Sequence, residues 1–200
     1  WLGENFSDLE RDKDLQDALD AFASHSYMNK RDSQDDGPRR VAALYDKFPE
    51  KDRWQTEVCN ATIEEPLEID RVIDIQRIMN ADMGFTGINY WFWWIGWSPR
   101  CNISDVGQQC LIDGEGVSIV NKGPQYYALE TIYNNAPVGS YIRRMETDDP
   151  GVKNDGGLMT DMVAYEHANG TLAVLVNTSK DDKVYNFNGM KGSSATVYTI

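Results

Sequence analysis

Glu57 is the residue in this chain whose type and setting point most directly to chemistry. It lies in Arg53-Trp54-Gln55-Thr56-Glu57-Val58-Cys59-Asn60, after the polar loop Phe48-Pro49-Glu50-Lys51-Asp52. A short run of β-branched and aromatic residues behind such a loop predicts a strand entering a core. Glu is rarely buried unless it is paired or has a task. A carboxylate at the C-terminal end of a parallel strand stands where α/β barrels keep catalytic groups. On this octet alone, an edge-strand Glu facing water fits as well. Upstream, Ala21-Phe22-Ala23-Ser24-His25-Ser26-Tyr27 reads as a strand that brings His25 and Tyr27 to its end and to one face. A core histidine bonded to backbone is the alternative for His25. Downstream, Thr86 to Trp97 carries Trp91, Trp93, Trp94 and Trp97. Four tryptophans exceed what core filling requires. An exposed indole offers a flat apolar face with an N–H at its edge, which suits a sugar ring.

Other chemistries find no support. The two histidines fall in different parts of the chain, and the cysteine spacings match no zinc pattern. No phosphate-binding loop or dinucleotide fingerprint occurs, so neither a metal nor a cofactor is expected. The net charge of −13 argues against nucleic acid and anionic membranes as partners, because both need basic patches. No apolar run reaches the length of a membrane span.

The elements that must position these residues follow from pattern. Two hundred residues suffice for one domain, or one and a part. The chain starts at Trp1 without an initiator Met, a signal peptide or a basic segment, which reads as a processed product or a piece of a longer chain. Leu9 to Asp20 predicts a helix with Leu9, Leu15 and Leu19 on its apolar side. After the His25 strand, Asn29 to Arg40 reads as a loop and Arg39 to Phe48 as a short amphipathic helix. The Glu57 strand follows. A helix is expected from Leu67 to Met83, with Ile69, Val72, Ile73, Gln76, Met79 and Met83 buried and Gly84 as its stop. Thr86 to Trp97 predicts a strand buried on both faces, as parallel sheets require. A short strand at Gly116 to Val120 and a helix from Pro124 to Asn134 complete this part. After Pro137 the period changes to two: Ser140–Thr147, Asp161–His167, Thr171–Asn177, Lys183–Asn188 and Ser194–Ile200 read as strands, with Asn169-Gly170 as a hairpin turn. Alternating strands and helices mean parallel β/α units. The expected fold is therefore the last three units of a (β/α)8 barrel over residues 1–136, with the first five units absent, followed by an all-β module over 137–200, which the resemblance given below implies is an incomplete β-sandwich side domain.

Of the three cysteines, Cys101 and Cys110 flank one polar loop and are expected to pair, leaving Cys59 as a buried thiol. N-x-S/T sequons at Asn5, Asn60, Asn102, Asn169 and Asn177 point to a secretory glycoprotein. Asn60 weakens that pointer, since it lies beside the Glu57 strand.

In this order the motifs resemble the C-terminal half of glycoside hydrolase family 30, the clan A retaining enzymes that include glucosylceramidases, endo-β-1,6-glucanases, β-1,6-galactanases and xylanases. Ala23-Ser24-His25-Ser26-Tyr27 resembles the family's sixth strand, Trp54 to Cys59 its seventh, and Tyr90-Trp91-Phe92-Trp93-Trp94 its aromatic eighth. Gln125 to Leu129 with Pro137-Val138-Gly139 is similar to the helix and turn that enter its sandwich. The resemblance implies a retaining O-glycoside hydrolase of β-linked glycans or glycosides, acting on a β-glucan, a galactan or a glycosylceramide, secreted or in a lysosomal-type compartment. It implies that Glu57 is the nucleophile and that His25 and Tyr27 bind the substrate beside it, where Tyr27 or His25 could also donate a hydrogen bond to the Glu57 carboxylate. Trp93 or Trp94 would hold the sugar at the cleavage point, and Trp97 would form an outer platform. Such chemistry uses two carboxyl groups about 5–5.5 Å apart. The family's acid/base is a Glu following Asn, and no Asn-Glu pair occurs in this sequence. The alternative is thus a non-catalytic carbohydrate-binding or structural fragment.

Overall fold

A computed structural model describes residues 6–25, 42, 43, 45–59, 68–97, 110–115, 118–147, 161–177, 179, 181–189, 194–197 and 199. Strands β1 (Ala21–His25), β2 (Asp52–Glu57) and β3 (Tyr90–Trp91) form a parallel sheet in the order β1-β2-β3. A helix α3 (Glu68–Ala81) connects the last two strands. Strands β4 (Ile112–Glu115) and β5 (Ser118–Lys122) make an antiparallel hairpin, followed by α4 (Pro124–Asn135), which has its proline at the first turn, where no N–H is needed. A second antiparallel sheet, β6-β7-β8 (Tyr141–Arg144, Met162–His167, Gly170–Leu175), completes a mixed α/β fold. Among the described residues no helix is long and apolar enough to cross a membrane.

Several boundaries differ from the sequence pattern, each for a local reason. The expected helix over 9–20 is two, α1 (Phe6–Arg11) and α2 (Lys13–Ala18). Asp12 divides them: its extended backbone starts α2, and its carboxylate accepts from the Leu15 N–H at 3.0 Å. Leu15 consequently turns to solvent, while Leu9 is buried. Ile69, expected in the core, is 48% exposed, and Ile75 and Ile78 are buried instead. Gly84 does not stop α3. The helix widens into a π-helical turn, Asp82–Thr86, and ends at Gly87, whose φ of 73° suits a residue without a Cβ. Gly84 packs closely instead: a Cβ there would stand 3.2 Å from the Val163 side chain of β7, tighter than an ordinary contact.

β4 precedes the strand expected at 116–120, and the described residues of 183–188 and 194–199 form no strand, with Val184 and Val197 almost fully exposed. Residues 42, 43 and 45 are helical, as the amphipathic pattern there predicts. The run 86–97 is not buried on both faces, and its paired strand is only Tyr90–Trp91.

One apolar cluster joins these parts: Phe22, Tyr45 and Phe48, then Ile75, Met79 and Trp91, then Leu129, Ile132, Val163 and Tyr165. Charged groups fasten the second sheet to α3 and its π-helical turn. Arg144 donates to the Gly84 carbonyl at 2.7 Å and the Phe85 carbonyl at 2.9 Å, and its guanidinium lies over the Phe85 ring. Arg77 pairs with the buried Asp161 at 2.8 Å.

Candidate functional site

The face on which each side chain emerges follows from strand register. Ala23 is paired with Trp54 and Ser24 with Gln55, but His25 is paired with Glu57, so Thr56 is the extra residue of a bulge. The Thr56 hydroxyl donates to the Ser24 carbonyl at 3.3 Å. Without the bulge, Glu57 would emerge on the face opposite Trp54, because alternation has a period of two. With it, Ala23, His25, Trp54 and Glu57 share one face. Phe22, Ser24 and Gln55 occupy the other, where Ser24 and Tyr45 share a hydrogen bond of 3.0 Å.

Glu57 ends β2 on the C-terminal side of the parallel sheet. Its side chain is 28% exposed, and one carboxylate oxygen lies 3.7 Å from Nδ1 of His25. The two form an ion pair when the imidazole is protonated. Tyr27 and Cys101 lie outside the described residues.

β3 extends the same face. Tyr90 is paired with Trp54, and their rings meet edge to face at 5.4 Å. Beyond Trp91 the parallel ladder continues through Phe92 N–H to the Gln55 carbonyl at 3.0 Å and Trp94 N–H to the Val58 carbonyl at 2.9 Å. Alternation then separates two sets. Trp91 is 5% exposed and stacks on Trp93 at 6.1 Å, whereas Tyr90, Phe92 and Trp94 are 49%, 51% and 50% exposed. Trp94, not Trp93, is therefore the member of the pair on the Glu57 face. Trp97 is also exposed.

The opposite face is tied down. The Trp91 indole N–H donates to the Asp82 carboxylate at 2.7 Å, and the Tyr133 hydroxyl donates to the Trp91 carbonyl at 3.1 Å. Asp82 is fully buried. Its carbonyl accepts from the Thr86 hydroxyl at 2.6 Å and the Ile88 N–H at 3.0 Å. Burial pushes the Tyr133 hydroxyl up to about 12, although the ring itself is half exposed. Burial, then the charges of Tyr133 and Asp82, push Tyr165 upward too. Burial raises Tyr45, partly offset by its hydrogen bond to Ser24.

Two buried polar atoms have no hydrogen-bond partner among the described residues: Nε2 of Gln55 and the Tyr165 hydroxyl. A groove of about 650 Å³ runs between β3, α4 and β6, lined by Tyr90, Phe92, Tyr133, Val138 and Ile142, with Tyr165 among its walls. Pattern reading singled out neither Gln55, Asp82, Trp54 nor Tyr90. The signal for Trp54 and Tyr90 was their strand position; the bulge at Thr56, which puts Glu57 on their face, left no mark in the sequence pattern. Cys59 is buried and carries its thiol, and Cys110 is disulfide-bonded. Among the described residues no group of three or more His, Cys, Asp or Glu is placed to hold a metal ion.

No protein-family model matches the chain, and no curated protein sequence does. Solved structures do resemble it. A conserved exported protein from Bacteroides fragilis superposes with a TM-score of 0.62 at 16% identity, over 82% of this chain and 36% of its own. SrfJ from Salmonella typhimurium gives 0.60 at 13% identity, over 83% and 35%. A GH30 endoxylanase from Clostridium papyrosolvens C71 gives 0.55 at 17% identity, over 86% and 37%. The chain thus spans about a third of the length of these structures. At such identities the likeness is one of fold.

Proposed function

We propose that the chain is the C-terminal part of a secreted retaining glycoside hydrolase, with residues 1–136 supplying the last three units of a (β/α)8 barrel and 137–200 a β-sandwich side domain. The observation that carries this reading is Glu57: a half-buried carboxylate at the C-terminal end of a parallel strand, beside His25, on a sheet face of exposed aromatic rings. The fold likeness to a glycoside hydrolase supports it. So does the disulfide at Cys110, which suits an oxidising compartment; Cys101 is its proposed partner.

In this reading Glu57 attacks the anomeric carbon of a β-linked sugar and the glycosidic oxygen departs, protonated by a carboxylic acid from the remainder of the protein. Water then attacks the glycosyl–Glu57 ester, deprotonated by that same second group. His25 and Tyr27 meet the substrate beside Glu57, and one of them orients its carboxylate by donating a hydrogen bond to it. Trp94 supplies the stacking surface for the sugar, and Trp97 an outer one. The substrate is a β-linked glycan or glycoside of the glucan, galactan or glycosylceramide kind.

The test is Glu57→Gln in the complete protein. Substrate binding survives, while turnover falls by several powers of ten, about 4 kcal/mol or more of barrier at about 1.4 kcal/mol per tenfold. A 2-fluoro-glycoside labels Glu57 in the wild type and nothing in the variant. Wild-type turnover in the variant, or a label on another carboxylate, overturns the assignment. A second reading, carbohydrate binding without hydrolysis, applies to the isolated 200-residue chain, whose sequence holds no Asn-Glu pair. It requires that this chain alone bind oligosaccharide and show no turnover.

A further inference from the structure

The hairpin between β7 and β8 presents a chemical group that the glycosidase reading leaves unused. His167 pairs with Gly170 across a two-residue turn, Ala168-Asn169, so the sequon Asn169-Gly170-Thr171 straddles the tip. Asn169, Gly170 and Thr171 are all exposed. Gly170 has a φ of 149°, a conformation open to glycine, and a Cβ built on it would meet nothing within 4 Å, so the space around the tip is open. The Asn169 backbone N–H donates to Nδ1 of His167 at 3.3 Å, which fixes the turn and leaves the carboxamide outside that bond.

The other described sequon, at Asn177, is closed upon itself. Nδ2 of Asn177 donates to the Asp181 carbonyl at 2.9 Å, and Oδ1 accepts both the Ser179 N–H at 3.0 Å and the Ser179 hydroxyl at 2.7 Å. That hydroxyl is the one the sequon would offer to an enzyme, and it also lies 2.8 Å from the Asp181 carbonyl.

We propose that Asn169 carries an N-linked glycan, and that Asn177 does not. The donor is an oligosaccharide on a polyisoprenyl diphosphate. Nδ2 of Asn169 forms a bond to C1 of the first sugar, and the C1–O bond to the diphosphate breaks and leaves with its electron pair. One amide proton passes to base, giving a secondary amide. The disulfide at Cys110 suits the oxidising class of compartment in which this transfer operates. A glycan there stands beside β8, an outer strand of its sheet among the described residues, and shields that edge from pairing with other chains.

The experiment expresses the full 200-residue chain behind a secretory leader in a eukaryotic host and reads the secreted, folded protein. Enzymatic release of N-glycans converts each occupied Asn to Asp, and peptide mapping locates it. The expected result is Asp at 169 and Asn at 177. Asn169→Gln and Thr171→Ala each remove one glycan, whereas Thr171→Ser retains it and Asn177→Gln changes nothing. An unmodified Asn169, an occupied Asn177, or an Asn169→Gln chain that migrates with the wild type overturns the proposal. The outcome is independent of whether Glu57 is a nucleophile.

Discussion

The two larger sheets use polar and aromatic residues in opposite ways. In the antiparallel sheet, Met162, Val163, Ala164 and Tyr165 of β7 are buried in succession between β6 and β8. Several of the charges on or beside it act as fasteners: Arg143 holds Glu166, Arg144 holds the π-helical carbonyls, and Asp161 holds Arg77. In the parallel sheet one face is packed, but the other leaves Trp54, Tyr90, Phe92 and Trp94 exposed around Glu57 and His25. These rings are about half exposed, and a cluster of exposed apolar surface suits contact with another surface, which in the proposed reading is the rest of the barrel and its ligand. The difference separates a sheet that holds the molecule together from one that faces something else.

Replacing a tryptophan on each side of β3 gives the sharpest test of that division. Trp91→Ala removes a buried ring and strips Asp82 of its indole donor. We expect a loss of about 3–5 kcal/mol in denaturant unfolding. Trp94→Ala is expected to change stability by about 0.5 kcal/mol or less, and to weaken oligosaccharide binding in the complete protein. Equal destabilisation by the two variants would erase the distinction between the faces.

Within the antiparallel sheet the fasteners should rank by burial. Arg77→Met leaves Asp161, only 3% exposed, without its charged donor and is expected to cost about 1.5–3 kcal/mol. Arg143→Met breaks a pair whose side chains are 58% and 50% exposed, and should cost about 1 kcal/mol at most. Unfolding of both variants at low and high salt checks the ranking. Salt should shrink the Arg143 effect and leave the Arg77 effect in place.

The parallel β/α order was legible because its signals are local: the Ala21–His25 and Arg53–Glu57 patterns, the proline opening α4, and period two in β6 to β8. What escaped depends on distant residues. Gly84 reads as a helix stop, yet the helical turn runs through it because Val163 packs against it and Arg144, sixty positions on, holds its carbonyl. The aromatic run after Thr86 reads as buried on both faces, since composition carries no record of which strand lies alongside. Register with Trp54 decides that Trp94 faces out and Trp93 in. The strand readings at 183–188 and 194–199 fail for want of a partner strand among the described residues. The strand position of Glu57 was legible. Its facing was not, because it depends on the bulge at Thr56.

The smallest expected effect concerns Tyr165, which reaches from the antiparallel sheet toward the buried side of β3. Its hydroxyl is buried without a partner among the described residues, so Tyr165→Phe deletes a polar atom that gives no return at neutral pH. Removing an unsatisfied hydroxyl should be neutral or stabilising, by about 1 kcal/mol at most. Alkaline pH should separate the two proteins. Burial holds the folded-state pKa of Tyr165 above its ordinary value of 10.0. The stability linked to the neutral phenol is therefore fully present below about pH 10, the value of the unfolded chain, and declines as pH rises beyond it toward the folded value. The wild type should lose stability in that window more steeply than Tyr165→Phe, and ultraviolet difference titration should show one fewer late-ionising tyrosine in the variant. Parallel alkaline curves for the two would mean that the hydroxyl has a partner, or reaches water through the groove beside β3.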